Sequence, residues 1–297
     1  NVAWTSPAYN ASGLRTRNGC SLITIENNTV FNCDAGMFCK DETDDLTVRL
    51  NYFVGCQVTA MRLSSVDLPN INSLVYQNIA YDCLAGVTFN PTPTPTGWTG
   101  HRIYNNTLYA LTASGGGSPD FWGEGTVLET AASFRVYNNI IVQDNAGTTD
   151  FYQLEVNPAN ILSNYNDFFR ATGTVRINVA SVAESFATWS ARTPTANHDA
   201  ASLTSNPLFV GPVSGAEPAV AVFKLQATSP CLNAGRADPS DAGSATVTMG
   251  AYITGSEIIG VGAAASSGTR PPVASRPAVS DRLPVADRPS VASRPAV

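Results

Sequence analysis

Two groups of residues in this sequence have the types and spacing to do chemistry. The first is KDETDD at 40–45, which places Asp41, Glu42, Asp44 and Asp45 in one short stretch. Carboxylate oxygens are the hard ligands Ca²⁺ prefers. Arg49 and Arg62 follow close behind. Together they have the parts of a lyase reaction, in which Ca²⁺ neutralises a uronate carboxylate while a basic side chain removes the α-proton. The bland alternative is a solvated acidic loop. The second group lies around HRIY (101–104) and FRVY (134–137), where Arg102 and Tyr104 match Arg135 and Tyr137, and Tyr76 extends the tyrosine column. The loops NPTPTPTGWTGH (90–101) and SGGGSPDFWGEG (114–125) add Trp98, His101, Asp120, Trp122 and Glu124. Asp120 and Glu124 form a candidate carboxylate pair. If the protein is an enzyme, Arg102, Arg135 and His101 join Asp120 and Glu124 as the candidate catalytic residues, the arginines being suited to pairing with acidic groups. Tyr76, Trp98, Tyr104, Trp122 and Tyr137 are candidates for stacking on sugar rings. Here the alternative is that tyrosine and arginine merely clothe a sheet.

Composition narrows the setting. Of 297 residues, 43% are hydrophobic but only 13% charged, and just two are lysine; a typical domain has ~25% charged residues. Asn, Thr, Ser, Ala and Gly take their place, which fits an extracellular β protein. A net charge of −6 argues against nucleic acid, because little is available to neutralise phosphate. No apolar run reaches the ~18 residues of a membrane span. Serine-hydrolase, zinc-protease and phosphate-loop signatures are absent. The six cysteines form no CxxC pair, so zinc is not expected.

The elements that would position these groups show in a repeat. ITIENNTVF (23–31), LTVRLNYFV (46–54), SLVYQNIAY (73–81), HRIYNNTLY (101–109), FRVYNNIIV (134–142) and ILSNYNDFF (161–169) align on Asn28, Asn51, Asn78, Asn106, Asn139 and Asn166. Three residues before the Asn, five of the six copies are β-branched; two residues after it, all are apolar. Short alternating runs around an Asn corner read as strand, bend, strand. A period in the twenties fits one coil of a parallel β-helix. Coils stack at about 4.8 Å, so like residues form ladders. The asparagines form one such ladder, linked through their amides, with the bend placed at the Asn itself. Cys33, Cys56 and Cys83 form another, either as a small buried stack or as a disulfide between adjacent rungs. Cys20 and Cys39 are a separate possible bridge.

TGTVRINV (172–179), FATWSART (186–193), SNPLFVGP (205–212), FKLQATSPCLNAG (223–235) and MGAY (249–252) resemble the end region of bacterial right-handed parallel β-helix repeat proteins. These are exported or surface proteins distantly similar to polysaccharide lyases. The resemblance spans about residues 20–252 and speaks to fold rather than activity. It implies structural roles for Trp189, His198, Pro207, Phe209 and Pro230, and a free buried thiol at Cys231. Ser181 to Glu184 reads as a capping box, which predicts one short helix nearby.

The expected fold is all-β: a right-handed parallel β-helix of seven to nine coils over 1–255, then a Gly/Ala/Ser linker and Arg-Pro hexapeptide tail over 256–297. In polyproline II form the tail puts Arg270, Arg276, Arg282, Arg288 and Arg294 on one edge. Extended from Arg270 to Val297 it spans about 87 Å, against roughly 40 Å for the coil, which is long enough to reach a neighbouring subunit. The expected function is a non-catalytic extracellular or cell-surface protein that self-assembles head to tail into a filament or layer. The alternatives are a polysaccharide lyase, with Ca²⁺ as the one cofactor considered, and a glycan-binding adhesin. Asn10, Asn27 and Asn105 sit in N-glycosylation sequons.

Overall fold

A computed structural model describes residues 2–3, 12–17, 19–40, 43–65, 72–91, 99–110, 119–121, 134–143, 151–154, 161–179, 182–192, 198–215, 217–237 and 246–260. Two terminal strands come first, β1 (Val2–Ala3) and β2 (Ser12–Arg17). The chain then turns in three-strand coils. The first is β3 (Thr24–Glu26), β4 (Thr29–Phe31) and β5 (Ala35–Lys40). The second is β6 (Thr47–Arg49), β7 (Tyr52–Val54) and β8 (Thr59–Ser65). The third is β9 (Leu74–Tyr76), β10 (Ile79–Tyr81) and β11 (Val87–Pro91). Next come β12 (His101–Tyr104), β13 (Thr107–Ala110) and β14 (Pro119–Phe121), then β15 (Phe134–Tyr137), β16 (Ile140–Gln143) and β17 (Tyr152–Leu154). The last coil is β18 (Ile161–Asn164), β19 (Asp167–Arg170) and β20 (Arg176–Val179).

Corresponding strands stack in parallel as three walls. Wall one is β3-β6-β9-β12-β15-β18, wall two begins at β1 and ends at β19, and wall three runs from β2 to β20. The register keeps the repeat in phase, with Ile103 paired to Val75 and Val136, and Leu108 to Ala80 and Ile141. The chain is therefore a parallel β-helix. The coil number is a correction, for it falls short of seven to nine. Four coils have described side chains on all three walls, and two more, through β14 and β17, are described there as backbone only.

The bore holds the columns expected of it. Val48, Val75, Ile103 and Val136 are fully buried, as are Phe53, Leu108, Ile141 and Phe168. The bend, however, lies one residue before the shared Asn. Asn27, Leu50, Gln77, Asn105, Asn138 and Tyr165 all adopt φ between 52° and 58°. Asn suits this left-handed conformation, whereas Leu50, Gln77 and Tyr165 each carry a cost of about 1 kcal/mol that the stacked rungs must offset. The Asn column is left free to form its amide ladder.

The C-terminal part folds differently. β21 (Val182–Ser185) pairs antiparallel with β20, and helix α1 (Phe186–Ser190) follows. Its N-cap is Ser185, whose Oγ accepts from the Thr188 N–H. The helix thus starts after the expected box; Glu184 is in the strand, paired with Arg192, and Ser181 lies outside the described residues. From Leu203 the chain doubles back along the outer face of wall two and forms a second apolar cluster. Tyr81, Ile140 and Val142 pack there with Phe223, Met249 and Ile259. Tyr52 and Tyr81 donate to the Pro218 and Gly215 carbonyls at 2.7 Å. The strap runs as far as Gly260, whose N–H donates to the Leu50 carbonyl. Gly260 has φ +70°, and a Cβ there would stand 2.4 Å from Tyr52 Cβ. Residues 256–260, read as linker from composition, therefore pack on the coil. The chain divides into two units at Gly262/Ala263, and the whole of the second unit, Arg-Pro tail included, lies outside the described residues.

Candidate functional site

The amide ladder runs through all six coils in one direction. Asn28 Nδ2 donates to Asn51 Oδ1 at 2.9 Å, Asn51 to Asn78 at 2.9 Å, and Asn78 to Asn106, Asn106 to Asn139 and Asn139 to Asn166 at 3.0 Å. Each of these oxygens also accepts the backbone N–H of the preceding Asn at 3.0–3.1 Å. Along the ladder the oxygens therefore point to the N-terminal end and receive from the coil before, while from Asn51 onward each Nδ2 also donates back to a carbonyl of the preceding coil, Asn51 to Ile25 O and Asn166 to Val136 O among them. Aligned amide dipoles add, as they do in a helix, leaving the donor end electropositive.

At that donor end sits Asp199, 1% exposed. Its Oδ1 accepts from Asn166 Nδ2 at 3.0 Å and from Ser202 Oγ at 2.7 Å, and its Oδ2 from Ser163 Oγ at 2.7 Å and Trp189 Nε1 at 2.8 Å. Ser202 Oγ takes the remaining ladder donor, the Asn166 N–H, at 2.8 Å. Segment 198–205 covers the last rung further: the Asp199 N–H donates to Ser163 O, Leu203 N–H to Asn166 O, and Phe168 N–H to Leu203 O. Trp189 and Phe186 close the bore, and His198 stacks on Trp189 at 4.4 Å. Burial lowers the His198 pKa, partly opposed by Asp199. This end is thus closed on every wall. Sequence reading placed Trp189 and His198 at this end but missed Asp199, the residue that terminates the ladder.

The opposite end is open among the described residues. β1, β2 and β3 are each last in their sheet. A mouth of about 370 Å³ opens there, lined by Leu14, Thr16, Thr24 and Ile25, with Arg15, Glu26 and Asn28 on its rim. Asn28 Oδ1 accepts from no described residue. Nearby Leu22 is 80% exposed at φ +56°.

On wall one, the residues two before the first five ladder asparagines form a row of Glu26, Arg49, Tyr76, Tyr104 and Tyr137. The three rings lie nearly parallel, 4.8 Å and 5.1 Å apart. Arg49 donates to Tyr76 Oη at 3.1 Å and pairs with Glu26 at 2.6 Å; Tyr76 first, then Glu26, raises its pKa. Because the tyrosines stack on one another, the faces between the rings are not free for sugar stacking. Arg102 beside them is exposed, and Tyr137 is buried.

The other expected sites come apart. His101 is fully buried in the bore, stacked on Phe134 at 5.0 Å and accepting from the Ser73 N–H through Nδ1. It shares the inward phase of Ile103 two residues on, so it is not on the outer face with Arg102. Asp120 has its backbone on wall three, whereas Arg102 and Arg135 are on wall one; its side chain, with Trp98, Trp122 and Glu124, lies outside the described residues. Asp41 and Glu42 also lie outside. Asp45 Oδ1 accepts from Asn72 Nδ2 at 3.0 Å, and Asp44 runs beside Ser21 in a backbone bridge. Arg49 and Arg62 stand on different walls, and Arg62 lies over the Phe38 ring. Among the described residues no three His, Cys, Asp or Glu side chains gather closely enough to hold a metal ion.

All six cysteines are free thiols. Cys33, Cys56 and Cys83 stack as buried residues, with the Cys56 N–H 3.4 Å from Cys83 Sγ, and Cys20 Sγ donates to the Arg17 carbonyl. Cys231 Sγ donates to Asp167 Oδ2 at 3.1 Å. Of the sequons, Asn10 lies outside the described residues and Asn27 is half-exposed. Asn105 is 3% exposed and donates through Nδ2, the nitrogen a glycan would occupy, to Thr248 O at 2.7 Å. A glycan there has no exit unless the strap lifts. No helix among the described residues is long and apolar enough to cross a membrane.

These features define a class, the parallel β-helix. In comparison with known families and curated proteins the chain matches none, so the class rests on strand register.

Proposed function

We propose that the chain is a non-catalytic extracellular or cell-surface β-helix protein that assembles with copies of itself. The observation that carries this reading is the difference between the coil ends, one closed by its own chain and the other presenting unpaired strand edges among the described residues. Free sheet edges are templates for association. The disposition of charged groups adds support. Glu26 pairs with Arg49 and Glu184 with Arg192, Asp199 terminates the ladder, and Asp167 is buried beside Cys231. In this reading the coil is right-handed and akin to exported bacterial β-helix proteins, and the Arg-Pro tail reaches a neighbouring subunit. Sedimentation and negative-stain microscopy of the full chain and of a chain ending at Gly262 test it. Assemblies weakened by the truncation are expected; a monomer under all conditions would end the proposal.

A second reading, favoured by Arg102 and the tyrosine row, is binding of an acidic polysaccharide. A glycan array should then show binding without turnover, reduced at least tenfold by Arg102→Ala. Unsaturated-uronate absorbance on acidic glycans would instead revive the lyase reading.

A further inference from the structure

We infer that the pocket between the strap and wall two, over coils four to six, binds a neutral sugar unit. It is a site separate from Arg102 and the tyrosine row on wall one.

The floor of the pocket is one outer column of wall two, in which Tyr109, Val142 and Phe169 are consecutive in register. Its other side is the strap, which turns back on itself there. Phe209 bridges Leu225, the Val210 N–H donates to Lys224 O at 2.7 Å, and the Gln226 N–H donates to Leu208 O at 2.9 Å. Over coils two and three the strap is pinned to wall two by the Tyr52 and Tyr81 hydroxyls, and Phe223 packs edge-on against both rings. Over the later coils it stands off and leaves a cavity of about 310 Å³, within the range of small-molecule sites.

The lining selects the chemistry of an occupant. None of its side chains is charged, so an ionised ligand would lose water there without gaining a counter-ion. Phe169 and Phe209 are half-buried. Phe209 meets Phe223 edge-on at 5.7 Å, and Phe169 has no ring partner among the described residues. Such rings offer apolar surface to the C–H faces of a sugar. Two side-chain amides supply the polar contacts. Asn206 Oδ1 accepts from the Leu208 N–H at 2.9 Å, and Gln226 Nε2 donates to Phe209 O at 2.7 Å. Each amide thus uses one of its two functions to hold the strap. Asn206 Nδ2 and Gln226 Oε1 have no hydrogen bond to a described residue, which leaves the pocket a donor and an acceptor. A hydroxyl both gives and takes a hydrogen bond, so a polyhydroxylated ring can satisfy both amides. Leu208, also in the lining, is held at φ +53°. Left-handed backbone at a non-glycine residue is strained, and such strain gathers at ligand sites.

Calorimetry and saturation-transfer NMR of the full chain test this with maltose, cellobiose and lactose, against digalacturonate and cyclohexanol. At least one neutral disaccharide should bind with Kd of about 1 mM or tighter, and digalacturonate and cyclohexanol at least tenfold more weakly. Asn206→Asp keeps the oxygen that accepts from Leu208 but removes the free donor and adds a charge. It should weaken binding at least tenfold with the melting temperature unchanged. Phe169→Leu keeps an apolar side chain without the ring and should weaken binding at least fivefold. Arg102→Ala should leave it unchanged. No binding by any of the three disaccharides overturns the inference. Equal binding of cyclohexanol overturns it by showing that the rings alone select. Binding indifferent to Asn206→Asp and Phe169→Leu, or lost in Arg102→Ala, overturns it by placing the sugar elsewhere, in the last case on wall one.

Discussion

The two ends of this coil solve the same problem differently. Each must deal with a column of hydrogen-bonding amides and the edges of three sheets. At the C-terminal end the chain supplies its own answer, a carboxylate that accepts four donors under a tryptophan lid. At the N-terminal end the Asn28 oxygen, a half-open bore and an exposed leucine are presented outward. An aligned column has a donor end and an acceptor end, and among the described residues only the donor end is completed by an acid.

Substitutions at the two ends should therefore differ most. Asp199→Ala leaves the donors of Trp189, Ser163, Asn166 and Ser202 without their acceptor in a buried site. A loss of about 3–5 kcal/mol in denaturant unfolding is expected. A loss below about 1 kcal/mol would mean that the last rung is not held by this acid. In the middle of the ladder, Asn106→Leu strands the Asn78 donors and one Asn139 acceptor. The expected cost is about 2–4 kcal/mol, close to that at the closed end.

Asp167, also on the last coil, sharpens the comparison through pH. Burial pushes its carboxyl up to about 7, opposed by the Cys231 and Ser205 contacts, against ~3.9 in an unfolded chain. The folded state therefore binds the proton more tightly. This contribution is fully present below about pH 4 and is lost as pH rises through about 7. The melting temperature should fall between pH 5 and pH 8, and Asp167→Asn should flatten that fall and raise stability at pH 8. An unaltered slope would assign the pH dependence elsewhere. The smallest effect is expected at the open end. Asn28→Ala removes one half-exposed donor set and should cost under about 1 kcal/mol in the monomer. A cost equal to that of Asn106→Leu would show that the open end is already completed within one chain.

The ladder and bore were legible because they repeat. Asn28 to Asn166 recur in step with β-branched and apolar neighbours, and stacking makes such columns visible in one dimension. The bend was placed one residue late because Asn is the usual left-handed residue and three bends use Leu50, Gln77 and Tyr165 instead. His101 was misplaced on the outer face although its inward phase, shared with Ile103, could be read. The outward place of Arg102 was legible, but not that Tyr137 would be buried or that the rings would turn their faces to each other. Asp199 and the strap from Leu203 to Gly260 were hidden, because each contact is made once and has no period. The coil number falls short of the seven to nine expected over 1–255 for a related reason: the stretch from Leu203 to Gly260 packs along the outside of wall two and adds no turns.

The one-way hand-on of amides has a consequence for how such a chain can change in length. Every internal rung receives from the one before and gives to the one after in the same manner, so whole turns are interchangeable units. A turn excised or duplicated between Asn51 and Asn139 leaves neighbours that still match, while the terminal acid keeps its place. The molecule is in this sense a ruler, graduated in single turns and fixed at one end.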